Sequence, residues 1–167
     1  MKIQGMTLTE LLSTLAISAF LGVVAVPSLY ETLQNYRLRS SAQALFQALS
    51  SARASSVMRN HFVTVWNTGG NWARDVEIFL DQNEDGKRSA SEQVLYRSAN
   101  QDYATITGNR WVADYVKFAP DGSATTASGA FQVGTITVCR PDHSHAYQLI
   151  ISIGGRVRMI KSEIAAC

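Results

Sequence analysis

Gly5-Met6-Thr7-Leu8-Thr9-Glu10 opens onto residues 11–29, a run without a single charged side chain. Ahead of it stands only the short basic leader Met1-Lys2-Ile3-Gln4. At the rise of an α-helix, residues 11–29 extend about 28 Å, enough to cross the hydrocarbon of a bilayer. An ordinary secretory signal carries a small-x-small cleavage site after its apolar run. Here Ala25-Val26-Pro27 is a poor one, because proline just past the cut would hinder it. A glycine before the run and a lone acid, Glu10, at its edge therefore need another explanation. A carboxylate at the rim of a hydrocarbon span is costly unless it is paired or neutralised. As an acid in the first turn of a helix, Glu10 would also complement the macrodipole.

Downstream, Pro27 removes one backbone donor and favours a bend. Beyond it, Leu29, Leu33, Tyr36, Leu38, Ala42, Leu45, Phe46, Leu49 and Ala52 recur at three- and four-residue steps. That spacing predicts an amphipathic helix with one buried stripe, running to about Asn60. From His61 the period switches to alternation, and residues 62–66, 76–80, 93–96, 115–118, 134–139, 147–153 and 156–160 read as strands. Asn67-Thr68-Gly69-Gly70-Asn71 and Pro120-Asp121-Gly122 mark turns between them. Closely spaced strands after one long helix predict an α+β class, with antiparallel sheet packed on the helix.

The chain has 167 residues, enough for one domain with a real core. Its formal net charge is +2, so bulk charge makes no case for nucleic acid, and any such case must rest on local clustering. Cys139 and Cys167 are the two cysteines. Outside the cytoplasm they are expected to bridge; inside it they would be two buried thiols.

Three clusters in the β-rich part could carry chemistry. Asp81-Gln82-Asn83-Glu84-Asp85-Gly86, with Glu92 beyond, matches the ligand spacing of a calcium loop. Its flanks read as strands, however, and the same residue types suit any exposed hairpin loop, so no metal is assigned. His143 and His145 lie near Cys139, but no fourth ligand is evident and a solvated turn explains them as well. Neither a Ser/His/Asp set nor a phosphate-cradling glycine loop is present, so no enzymatic activity and no cofactor are expected.

The third cluster is basic. Gly154-Gly155 separates two alternating segments and suits a tight hairpin turn. Arg156 and Arg158 should then share a strand face about 7 Å apart, with Lys161 continuing the patch and Arg140 approaching from another strand. Guanidinium groups bind phosphate oxygens in bidentate fashion, and a rigid hairpin fixes their direction. No aromatic side chains interleave, so phosphate contact on duplex DNA without sequence readout is the expected mode. An edge strand charged against edge-to-edge pairing is the competing reading.

The N-terminal arrangement resembles the class III signal of type IV pilins and type II secretion pseudopilins. The whole chain is similar to the FimT/GspH family of minor pilins: such a leader, one long helix, a small β head and a late cysteine pair. The resemblance implies a leader of residues 1–5 and removal by prepilin peptidase between Gly5 and Met6. It implies N-methylation of Met6, and pairing of Glu10 with the amine of a neighbouring subunit. It divides the rest into a transmembrane or filament-core helix at 6–29, its amphipathic half at 30–60 and a head at 61–167. FimT-type members carry a Gly-Arg-x-Arg motif that contacts DNA in natural transformation; here it reads Gly155-Arg156-Val157-Arg158. The implied partners are double-stranded DNA, other major and minor pilins, the prepilin peptidase and the inner membrane. The implied path runs from that membrane to periplasm and extracellular pilus. A GspH-type pseudopilin of type II secretion, or a pilus-priming minor pilin with a purely structural role, is the alternative.

Overall fold

Thr7 and Glu10 start the long helix. In α1 (Leu8–Arg59), the Thr7 N–H and Oγ1 donate to Glu10 Oε2 at 2.9 and 3.0 Å, and the Glu10 N–H donates to Thr7 Oγ1 at 3.3 Å. This capping box satisfies donors that a helix start otherwise leaves open. The helix runs through Pro27 and stops at Asn60, whose φ of 53° places it in the left-handed region. There the His61 N–H reaches Ser56 O at 3.2 Å and the Asn60 N–H reaches Val57 O at 3.4 Å, a Schellman closure.

The computed structural model describes Gly5 and residues 7–98, 103–141, 143–164 and 166–167. They fall into two compact units, one ending at Arg37 and the other spanning Leu38–Cys167. In the first, Leu11, Leu15, Phe20, Val26 and Leu29 are all exposed, and the helix is long and apolar enough to cross a membrane. Exposed apolar surface on this scale marks a segment that lipid or other chains cover.

The second unit holds every buried apolar side chain among the described residues, beginning with Leu38. It therefore carries its own core. Leu38, Ala42, Leu45, Leu49 and Ala52 form the buried stripe of α1, whereas Leu29, Leu33 and Tyr36, which the same period placed in it, are exposed. They pack with Val63, Val65, Ile78, Val116 and Phe118 from one sheet and Ile136, Val138, Leu149 and Ile151 from another.

The strands are β1 (Val63–Asn67), β2 (Val76–Leu80), β3 (Val94–Arg97), β4 (Thr105–Gly108), β5 (Tyr115–Phe118), β6 (Ala124–Thr125), β7 (Gly134–Cys139), β8 (His145–Ile151) and β9 (Val157–Glu163). The first sheet has the order β3-β2-β1-β5-β6 and the second β4-β7-β8-β9, with antiparallel pairing throughout. The class is α+β, a helix packed on antiparallel sheets. Two strands escape the sequence pattern, β4 and β6. The last two strands also sit differently from expectation: β8 starts at His145, and β9 begins at Val157, leaving Arg156 just ahead of the strand.

Candidate functional site

The β8–β9 hairpin closes with a three-residue loop, Ile153-Gly154-Gly155, instead of a two-residue turn. The Gly155 N–H donates to Ser152 O at 2.9 Å, and the Ser152 N–H donates to Arg156 O at 3.1 Å. Gly155 has φ 69°, as the left-handed last position of such a loop requires. It is also buried, and a Cβ there would overlap the carbonyl oxygen of Gly122. Gly155 thus serves packing and backbone geometry, although the motif reading grouped it with the DNA contacts.

Arg156 follows directly, opposite Ser152, and Arg158 stands opposite Ile150. Both arginines are exposed, and both line one cleft of about 280 Å³ with Ile150 and Ser152. Strand alternation sets them on one face about 7 Å apart. Among the described residues neither forms an ion pair. Arg156 also borders a second cleft, of about 410 Å³, against Ser50, Arg53, Ala54, Val57 and Met58 of α1.

The other two basic residues are placed elsewhere. Lys161 lies an odd step from Arg158, so its side chain takes the opposite face of β9. There it stands opposite Tyr147. Its charge acts on His145, whose pKa is lowered first by burial, then by Lys161 and by His143. Arg140 follows Cys139 at the end of β7 that pairs with Thr105, whereas Arg156 flanks the end marked by Gly134 and Ile151. The expected four-residue patch therefore reduces to two arginines on one face.

Sequence reasoning missed Arg53. Its Nε donates to Gly122 O at 2.9 Å and its Nη2 to Gly154 O at 2.9 Å, tying α1 to the loop that carries Arg156. These partners are far away in sequence, and no local pattern announces them.

Cys139 and Cys167 are bridged, with Cα atoms 5.6 Å apart. His143 and His145 stack edge-on, their ring centres 5.5 Å apart. Gly5 is exposed, while Met6 lies outside the described residues.

The acidic loop is organised from within. Asp81 Oδ2 accepts from Thr64 Oγ1 at 2.6 Å and the Gly86 N–H at 3.0 Å; Glu92 accepts from the N–H groups of Gln82 and Ser89 at 2.9 and 2.7 Å. Burial raises the Asp81 pKa, opposed by those two bonds. The buried Lys117 donates from Nζ to Glu84 O at 2.8 Å and sits 4.9 Å from the centre of the Phe62 ring. An ammonium group thus enters the loop where the spacing suggested a metal ion.

The profile of the family described as type II transport protein GspH matches residues 41–155, well over half of the chain. The chain belongs to the GspH family. The match ends at Gly155, so Arg156 and Arg158 lie outside it. No curated protein matches this sequence. Among solved structures, the type IV minor pilin FimU of Pseudomonas aeruginosa superposes with a TM-score of 0.63 at 16% identity, covering 80% of this chain and 96% of that one. A second crystal form of FimU gives 0.61 at 16% identity, covering 77% and 98%. At that identity the likeness shows the fold alone, that of a type IV minor pilin. Members of this family are structural proteins, and the long apolar helix of this one fits a membrane-anchored precursor.

Proposed function

We propose that this GspH-family chain is a minor type IV pilin that binds extracellular double-stranded DNA without sequence preference, for uptake in natural transformation. The carrying observation is the pair Arg156 and Arg158, exposed on one face at the end of a hairpin pinned by Gly155 and Arg53. Two guanidiniums about 7 Å apart can take phosphate oxygens along one DNA strand. Two phosphate contacts correspond to a slope of log affinity against log salt near −1.8, whereas including Lys161 would give about −2.7. Binding by one head is therefore weak and salt-sensitive.

The test is fluorescence anisotropy of the 38–167 unit on a DNA duplex across a salt series. Arg156→Gln with Arg158→Gln should abolish binding while the melting curve stays in place. Lys161→Gln should leave both affinity and slope unchanged. Binding that survives the double arginine variant rejects this reading.

Delivery to the filament follows from the N-terminus. The peptide bond between Gly5 and Met6 is cut by prepilin peptidase, the new amine is methylated, and the chain passes from inner membrane to pilus. Both Thr7 bonds fall on Glu10 Oε2, so Oε1 is the oxygen offered to the amine of a neighbouring pilin. Intact mass of the purified protein checks the cut: retention of residues 1–5 would overturn it.

A structural pseudopilin or priming pilin is the second reading. It is favoured by the family match stopping before the arginines and by β9 being an edge strand, where charge discourages sheet extension. A deletion that impairs secretion or piliation, with transformation unaffected, would favour it.

A further inference from the structure

An arginine that contacts phosphate from a hairpin end must be aimed, and Arg156 stands within two residues of a carbonyl held by α1. We infer that Arg53 is the positioning residue of this site: it acts on DNA binding through Arg156 without touching phosphate itself. This rests on the DNA-binding reading.

Arg53 spends two of its N–H groups on backbone carbonyls from two different loops, Gly122 O and Gly154 O. The first carbonyl is the one against which Gly155 packs without room for a Cβ. The guanidinium therefore ties a helix, the Pro120-Asp121-Gly122 turn and the hairpin loop together at one point. Only two residues beyond Gly154, Arg156 leaves the loop between the two clefts it borders. One cleft is walled by α1 and the other by β8. Any rotation of the loop would carry Arg156 toward one wall and out of line with Arg158. Planarity matters here. A guanidinium presents its donors in a fixed fork, so it holds both carbonyls at a set separation; an ammonium group has the same charge but no such fork.

A charge-preserving variant separates aiming from attraction. Arg53→Lys, Arg156→Gln and the double variant are compared in the full chain, held in non-ionic detergent, on a duplex across a salt series. Thermal melting of each serves as a control for folding. Arg53→Lys is expected to weaken binding about three- to tenfold and to make the salt slope shallower by about 0.9, as loss of one phosphate contact would. In the Arg156→Gln background the same change should have an effect of less than about twofold. Wild-type affinity and slope in Arg53→Lys would overturn the inference. So would an equal loss on both backgrounds, which would make Arg53 an independent contact. Should Arg156→Gln itself leave affinity unchanged, the DNA reading fails first, and the positioning role falls with it.

Discussion

The Nζ of Lys117 lies 2.8 Å from the carbonyl oxygen of Glu84, inside the loop whose acids are spaced like calcium ligands. Lys117 is buried, and its charge works against the rise that burial causes in the Asp81 pKa. Lys117 brings a cation to one backbone oxygen of the loop, and among the described residues no three side chains of His, Cys, Asp or Glu converge as a metal site needs. Melting of the 38–167 unit should therefore be the same with calcium and with chelator. Lys117→Met should cost about 1.5–3 kcal/mol, because it removes the charged hydrogen bond from the buried lysine to the Glu84 carbonyl. A calcium-dependent rise in the melting temperature would show that a metal ion holds this loop.

Adjacent glycines in the hairpin loop should respond differently to the same substitution. Gly155→Ala places a Cβ on the Gly122 carbonyl oxygen at φ 69° and should destabilise by about 2–4 kcal/mol. At Gly154 a Cβ meets nothing within 4 Å, and its φ is outside the left-handed region. Gly154→Ala should then change stability by less than about 0.5 kcal/mol. Denaturant midpoints of the two variants check this; equal effects would remove the packing role given to Gly155.

Much of this fold is legible because period is legible. The stripe from Leu38 to Ala52 repeats every third or fourth residue, and β1, β2, β5 and β7 are rich in Val, Ile, Phe and Thr. β4 and β6 escape because Thr105–Gly108 and Ala124–Thr125 are short and weakly apolar, and their pairing partners hold them in the sheets. The site is half legible. Gly155-Arg156-Val157-Arg158 and the face shared by its arginines could be read, and so could the odd step that sends Lys161 to the other face. The Thr7-x-x-Glu10 capping box was also readable, as a local signature. Arg53 was not, because the carbonyls it binds are brought to it only by tertiary folding.

The disulfide should matter for stability and leave DNA binding alone. Cys139 and Cys167 are 28 residues apart, which gives about 3–4 kcal/mol in the chain-entropy account. Cys139 pairs with Thr105 at one end of the second sheet, and Arg156 flanks the other end. Reduction, or Cys139→Ser with Cys167→Ser, should lower the urea midpoint accordingly. DNA affinity measured well below the new melting temperature should stay within about twofold of the oxidised protein. Loss of binding in a folded, reduced protein would link the two ends of the sheet.

Stability should also fall on mild acidification, through His145. Its pKa is depressed in the fold from 6.5, first by burial and then by the charges of Lys161 and His143. The native state accordingly binds fewer protons at this position than the unfolded chain does. Stability rises with pH wherever the unfolded state holds more protons. The contribution of His145 is therefore complete above 6.5 and is lost as pH falls through the depressed folded value. Urea midpoints at about pH 7.5 and about pH 5.5 should differ in the parent, and His145→Gln should shrink that difference. Lys161→Gln removes one of the two repelling charges, so the imidazole should titrate at higher pH by NMR. If Lys161→Gln leaves the His145 titration where it was, the two side chains do not share the face that strand alternation assigns them, and the separation of Lys161 from the arginine pair fails with it.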